Sequence, residues 1–270
     1  MDRFHRTIAE LWVYPLKGAR GISLRRATVR KAGLLHDRRF MLVTPDGTFM
    51  TQRSHARLAL VEVELRDDSI VIGTPEHGSA VVSLTPEGPR RSVVVWNDVV
   101  EAVDVRGQAA KILSSFLGEE CGLVHMPPDV IRRVDAKYAT PTDHVGFADD
   151  FPLLLATRAS LADLNAKLAS PIPMNRFRPN VVVAGGEPFE EDRHRAARIG
   201  NIRCRMPKRC ARCVVTTIDQ STAIAGVEPL RTLAKYRGED SNVYFAQNLV
   251  PDGEGDISVG DPVEYLDAVS

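Results

Sequence analysis

The sequence predicts a β-rich α+β protein, barrel-like in its sheets, with a few short helices. Three observations point there. Apolar and polar residues alternate from Leu58 to Leu65 with the period of a strand. Two turn signals interrupt apolar runs, Pro45-Asp46-Gly47 in RRFMLVTPDGTFMTQRS and Asn97-Asp98 in RRSVVVWNDVVEAVDV. Helical spacing is confined to short stretches.

The elements follow in order. TIAELWVYPL opens the strand series, and the Pro45–Gly47 hairpin, the Leu58–Leu65 strand and the pair around Asn97-Asp98 continue it. In GQAAKILSSFLGEE the residues Ala109, Ile112, Leu113, Phe116 and Leu117 keep helical spacing, and Gly118 suits its stop. Residues 125–152 hold four prolines and no sustained period. They predict a long connection, which in a compact protein often carries function. SLADLNAKLAS predicts a helix capped by Ser160, with Leu161, Leu164 and Leu168 as its buried stripe. Strands return in NVVVAGG and RIGNIRCRMP, and VVTTI after Cys213 also has strand chemistry. EPLRTLAKYR predicts a short helix with Pro229 in its first turn. DISVGDPVEYL predicts a closing strand pair around Gly260-Asp261.

With 270 residues and 44% hydrophobic content, a core can form without metal or disulfide staples. Lys plus Arg equals Asp plus Glu at 35 each, which argues against a nucleic-acid partner while leaving room for a local basic pocket. No run of eighteen apolar residues is present, so no membrane span is expected. The opening MDRFHRTIAELWVYPLKGAR lacks the apolar core of a signal peptide, and the expected location is the cytoplasm.

There are four cysteines, Cys121, Cys204, Cys210 and Cys213, and in that setting reduced thiols are expected. A structural zinc site calls for four ligands, usually as two pairs, and RCARC supplies one pair. A redox pair should open a helix, where VVTTI predicts a strand. Two buried thiols acting as small hydrophobes remain open. Against that stand Lys208, Arg209 and Arg212, whose charges favour a thiolate, the form that ligates soft metals. Other basic elements have the same character. Lys17 precedes the small-residue turn Gly18-Ala19, Arg38 and Arg39 sit in HDRRF, and Arg176, Arg178 and Asn180 sit in NRFRPN. Together they could supply the donors that a phosphate-bearing heterocycle needs.

The segments LWVYPLKGARGI, DRRFMLVTPDGTFMTQR, FRPNVVVAGGEPFEED, RCARCVVTTID, EPLRTLAKYR and AQNLV occur in that order. They resemble MOSC-domain proteins with an N-terminal β-barrel domain, of the YcbX-like and mitochondrial amidoxime-reducing component type. The resemblance runs from about Ala9 to Leu266, and FRPN combined with C-x-R-C-x-x-T-T is its most specific part. It implies two domains, residues 1–130 and 131–270. It also implies a molybdenum cofactor (Mo-molybdopterin), a pyranopterin dithiolene with a terminal phosphate. Cys213 would be the metal ligand and the catalytic residue. Ala211 and Arg212 would line the cofactor, Ala211 standing where the family has serine. Lys17 and Gly18 match a Lys-Ser pair, again without the hydroxyl. Arg39, with Arg38 as close rival, Arg178, Asn180, Thr157 and Arg158 match further contacts.

The activity implied is reduction of small N-hydroxylated compounds: amidoximes, hydroxylamines or N-hydroxylated bases. The alternative is a cofactor-binding or sulfur-carrier module that works through a Cys213 persulfide. An inactive structural homologue is a third reading. YcbX-type chains often continue into an iron–sulfur domain, whereas this sequence ends at GDPVEYLDAVS. Electrons are therefore expected from a separate ferredoxin, flavoprotein or cytochrome b5-like protein. Asp219 and His144 are conceivable proton donors, and a structural role for each is the simpler reading.

Overall fold

The computed structural model of the chain describes residues 5–268, so Met1–Phe4, part of the stretch read for a signal peptide, lie outside it. Strands dominate and three α-helices are present, α1 (Gln108–Leu117), α2 (Arg158–Asn165) and α3 (Leu230–Arg237). The largest sheet has ten strands. Eight of them run in the order Ile22–Leu24, Thr7–Val13, Val181–Ala184, Leu153–Thr157, Asn242–Pro251, Ile202–Arg205, His194–Ile199, Val263–Ala268, and the other two, Arg209–Ala211 and Gly238–Glu239, pair with Asn242–Pro251 off that path. The start of Thr7–Val13, next to one end of that path, approaches the strand at the other end, since Ile8 N donates to Asp261 O at 2.9 Å and Val263 N to Arg6 O at 2.8 Å. Leu11, Val13, Leu155, Val181 and Leu249 fill the core of the sheet.

A four-stranded sheet orders Phe40–Val43, Gly122–His125, Asp98–Val105 and Arg90–Val95. A three-stranded meander, Glu62–Leu65, Ser69–Thr74 and Gly78–Ser83, packs under α1. The α1 stripe of Ala109, Ile112, Leu113 and Phe116 is buried as expected, and Gly118 ends the helix in the left-handed conformation. Pairing crosses the expected boundary at residue 130. Thr7–Val13 lies antiparallel to Val181–Ala184, and Arg26–Arg30 pairs with Gly255–Ser258. The turn that follows the first strand is thereby carried into the second half of the chain.

Several elements differ from expectation. Ala56–Leu60 is a 3-10 turn and only Glu62–Leu65 is strand. Leu58 and Val61 are both buried, and that i, i+3 pair satisfies a helical period as well as the alternation does. The hairpin expected at Asn97-Asp98 turns one residue earlier, on Trp96-Asn97, because Val95 pairs with Asp98. The helix cap is Thr157 rather than Ser160, its Oγ1 accepting from Ser160 N at 3.1 Å. The last two strands do not pair with each other. Gly255–Ser258 joins Arg26–Arg30, and Val263–Ala268 joins His194–Ile199.

Beneath the start of α2 lies Glu191, fully buried, its carboxylate accepting from Ser160 Oγ at 3.0 Å. Burial raises this carboxyl to about 7, the charge of Asp192 adding to the rise. The folded state therefore keeps a proton that the unfolded chain releases near the ordinary carboxylate value. That contribution to stability is full below the unfolded value and fades as pH rises towards 7, at about 1.4 kcal/mol per pH unit. Glu191→Gln is expected to flatten the fall in stability between about pH 5 and pH 7, read by urea denaturation. An unchanged slope would show that another group titrates.

Candidate functional site

One cavity of about 350 Å³ collects residues from both halves of the chain. Lys17, Gly18, Arg38, Arg178, Asn180, Ala211, Arg212 and Cys213, all singled out from sequence, line it, and so does Cys210. Its first wall is the turn after the Thr7–Val13 strand. Lys17 N donates to Phe40 O at 2.8 Å and Arg38 N to Tyr14 O at 2.8 Å, which locks the turn against HDRRF. Gly18 has φ +85°, and a Cβ there would meet Leu58 Cδ1 at 3.1 Å. Glycine takes this left-handed backbone without strain.

Lys17 is buried and donates from Nζ to Phe147 O at 2.7 Å and Asp149 Oδ1 at 2.5 Å. Burial lowers its pKa. Burial acts to raise the Asp149 carboxyl, but the charge of Lys17, its hydrogen bond and the charge of Arg53 outweigh that and hold it well below the usual range. The long connection is pinned here by a residue the sequence reading missed. Buried Arg132 donates to Gly146 O at 3.2 Å, Ala148 O at 2.6 Å and Asp149 O at 3.0 Å, and pairs with Asp98 at 2.6 Å.

The second wall is FRPN. Tyr14 lies between two guanidinium groups, Arg38 at 4.4 Å and Arg178 at 4.3 Å from its ring centre. Burial pushes its phenol up to about 12. Buried Asp37 anchors the group, accepting from Tyr14 N at 2.8 Å and Arg38 Nη1 at 2.5 Å. Asn180 commits its amide to the framework, accepting from Leu154 N at 3.1 Å and Arg38 at 3.2 Å and donating to Trp12 O at 3.2 Å. Arg178 is different. Its backbone is left-handed, with φ +54°, burial pushes its pKa down to about 10, and among the described residues its side chain has no hydrogen-bond acceptor.

The third wall is RCARC. Arg209–Ala211 is a short strand on Asn242–Pro251, and Cys213 follows as a half-buried residue before a 3-10 turn, Val214–Thr217. VVTTI is thus not a strand. Thr216 Oγ1 donates to Cys213 O at 3.0 Å and Thr217 Oγ1 to Val214 O at 2.8 Å, giving this segment a local alternative to sheet pairing. Arg212 donates to Cys210 Sγ at 2.9 Å and Phe177 O at 2.8 Å, while its Nε is buried without a partner. Burial pushes the Cys210 thiol up, against the pull of Arg212. Lys208 and Arg209 are engaged elsewhere, with Asp150 at 3.6 Å and Glu239 at 2.5 Å. Arg176 braces the loop through Asp219 at 3.0 Å. Hydrogen bonds from Ser221 push Asp219 down to about 2, so it holds no proton near neutrality. His144 is outside the cavity lining, its Nδ1 3.2 Å from Thr142 O. Cys204 is buried in the core of the large sheet.

Three expected contacts lie away from the cavity. Arg39 points to the other side of HDRRF and donates to Met126 O, leaving the cavity to Arg38. Thr157 is occupied as the α2 cap, about 10 Å along its strand from Leu154, which lines the cavity. Arg158 pairs with Glu10 at 2.8 Å on a shallower groove. Arg39→Ala is accordingly expected to lower stability by about 1–3 kcal/mol through its lost carbonyl bond, and to leave ligand retention in the cavity unchanged. Denaturation and ligand content, measured on the same preparation, check both halves of that statement.

Comparison with known proteins shows which family the chain belongs to. The MOSC N-terminal beta barrel domain matches residues 5–120 and the MOSC domain residues 142–264. Mitochondrial amidoxime-reducing component 1 of Mus musculus is 32% identical over 280 residues, covering 96% of this chain and 82% of its own. Mitochondrial amidoxime reducing component 2 of Bos taurus is 31% identical over 279 residues, covering 96% and 83%. The solved YUAD protein from Bacillus subtilis covers 96% of both chains at 8% identity and a TM-score of 0.45. The motifs that build the second and third walls fall within the MOSC match, the Lys17 turn falls within the N-terminal match, and the chain belongs to the MOSC-domain family of the mitochondrial amidoxime-reducing components.

Proposed function

We propose that the cavity holds a molybdenum cofactor, with the Cys213 thiolate as the protein's ligand to the metal, and that the protein reduces N-hydroxylated compounds. The observation that carries this is a pair of guanidinium groups, Arg178 and the Nε edge of Arg212, left without protein acceptors in the cavity that Cys213 lines. Both arginines are half-buried at the cavity wall, and guanidinium groups with free N–H donors there suit an anionic ligand. The donor set suits a phosphate-bearing pterin bound through sulfur, since thiolates suit soft metals and guanidinium groups suit phosphate. Among the described residues no cluster of three or more His, Cys, Asp or Glu could hold a metal ion, so the other ligands would come from the cofactor itself.

Bound there, the cofactor would supply two-electron reduction. The chain's part is to orient it and to offset its charge. Arg178 and Arg212 would bind its anionic groups, Arg38 is held in place by Asp37, and Gly18 lets backbone approach closely. Asp149 stays anionic, while the Cys210 thiol keeps its proton beside the cavity. The names of the relatives support amidoximes as substrates. The electron donor is proposed to be a separate protein. No helix among the described residues is long and apolar enough to cross a membrane. Fractionation of the native protein decides between cytoplasm and organelle.

The test is elemental analysis of protein from a host that makes the cofactor, with turnover of an amidoxime. Near-stoichiometric molybdenum is expected, with turnover on a chemical reductant or a reductase pair and none on NADH alone. Cyanide-releasable sulfur on Cys213 without molybdenum would favour the sulfur-carrier reading instead.

A further inference from the structure

Trp96 occupies a position that bulky side chains rarely take. It opens the two-residue loop between the strands Arg90–Val95 and Asp98–Val105, and its φ is +56°. Loops of this kind favour asparagine, aspartate or glycine, because a left-handed backbone crowds a large side chain. Asn97 fits that preference and Trp96 does not. Strain of this sort persists where the surroundings fix it, and it gathers at functional sites.

The surroundings do fix this ring. Arg53 stacks over it at 4.5 Å from the ring centre, Phe49 packs tilted at 5.0 Å, and the indole Nε1 donates to Asp149 Oδ1 at 3.3 Å. Phe49 in turn packs against the cluster of Met41, Val43, Val93 and Val95, so Trp96 lies at the edge of that core. Trp96 keeps 40% of its surface exposed and lines the cavity together with Cys213. It is an immobilised aromatic ring, held in a costly conformation, on the wall of the candidate site. Its order is established before any ligand arrives, so a planar group stacking on it would lose little further freedom to the protein side of the contact.

We infer that Trp96 is a specificity-determining residue, stacking the planar aryl or otherwise conjugated part of the substrate, so that conjugated N-hydroxylated compounds are taken in preference to small alkyl ones. The inference rests on the reductase reading for the word substrate. The contact itself can be measured without it.

Benzamidine and acetamidine differ by the aryl ring and carry no N-hydroxyl group, so they report binding without turnover. The probe is the full chain with its cofactor, in a Trp12→Phe background that leaves Trp96 as the remaining indole of the two in the sequence. Benzamidine is expected to change Trp96 fluorescence saturably and to bind about 10-fold tighter than acetamidine, the scale of a ring-on-ring contact with its buried area. By calorimetry, Trp96→Asn should bring that ratio close to one, and Trp96→Phe should keep most of it. Asparagine suits the left-handed loop, which guards against a trivial folding failure. With a reductant supplied, the kcat/KM ratio of benzamidoxime to acetamidoxime should fall by a similar factor in Trp96→Asn. If both amidoximes are reduced and the ratio does not move, Trp96 has no such role while the reductase reading stands. If neither is reduced, that reading fails, and equal binding of the two amidines by the parent chain would still overturn the role of Trp96.

Discussion

Cys213→Ser is expected to remove turnover of N-hydroxylated compounds, beyond the roughly 10- to 100-fold that losing an outer-shell partner of a metal costs. The substitution exchanges a soft sulfur for a hard oxygen at the one position proposed to bond the metal. It should do little else. Cys213 is half-buried, and the turn after it is held by its backbone carbonyl, which accepts from Thr216 N at 3.1 Å and Thr216 Oγ1 at 3.0 Å. Stability is therefore expected to change by less than about 1 kcal/mol. Cys210→Ser is the informative partner. Its sulfur accepts from Arg212 at 2.9 Å, so its loss should shift Arg212 and weaken cofactor retention while some turnover survives. Full turnover in Cys213→Ser would exclude it as the ligand.

Arg178→Met should separate function from stability. A charge-assisted hydrogen bond contributes about 1.5–3 kcal/mol, so cofactor retention is expected to fall by roughly ten- to a hundred-fold. The cofactor-free protein should lose nothing, or gain. Arg178 carries a charge that burial disfavours, and methionine keeps the apolar stem against Tyr14 without it. A site that binds an anion is expected to show this trade between stability and activity. Chemical denaturation of cofactor-free protein, set beside the molybdenum content of loaded protein, reads both. A large loss of stability in the cofactor-free variant would mean that Arg178 serves the fold.

Local pattern accounts for what could be read from the sequence. The α1 stripe and its Gly118 stop, and the strand character of RIGNIRCRMP, depend on neighbours a few residues apart. The two most specific motifs are also local, so FRPN brings Phe177, Arg178 and Asn180 to the cavity and RCARC brings Cys210, Ala211, Arg212 and Cys213. What was missed depends on distant partners. Lys17 meets Asp149 across 132 positions, and the Tyr14 hydroxyl meets Pro179 O across 165. Nothing around Asp37 or Arg132 in sequence announces that one anchors Arg38 and the other pins residues 146–149. Arg38 and Arg39 are adjacent and chemically alike, and only the local backbone decides which faces the cavity. VVTTI misled for a different reason: threonine hydroxyls can bond back to nearby carbonyls, and here that outweighs β propensity.

X-ray absorption at the molybdenum edge, on the wild-type protein and Cys213→Ser loaded in the same host, tests the central claim most directly. The expected result is molybdenum in both, with one sulfur neighbour fewer in the variant. A wild-type protein that takes up no molybdenum, or a sulfur shell that is the same in both proteins, would contradict it.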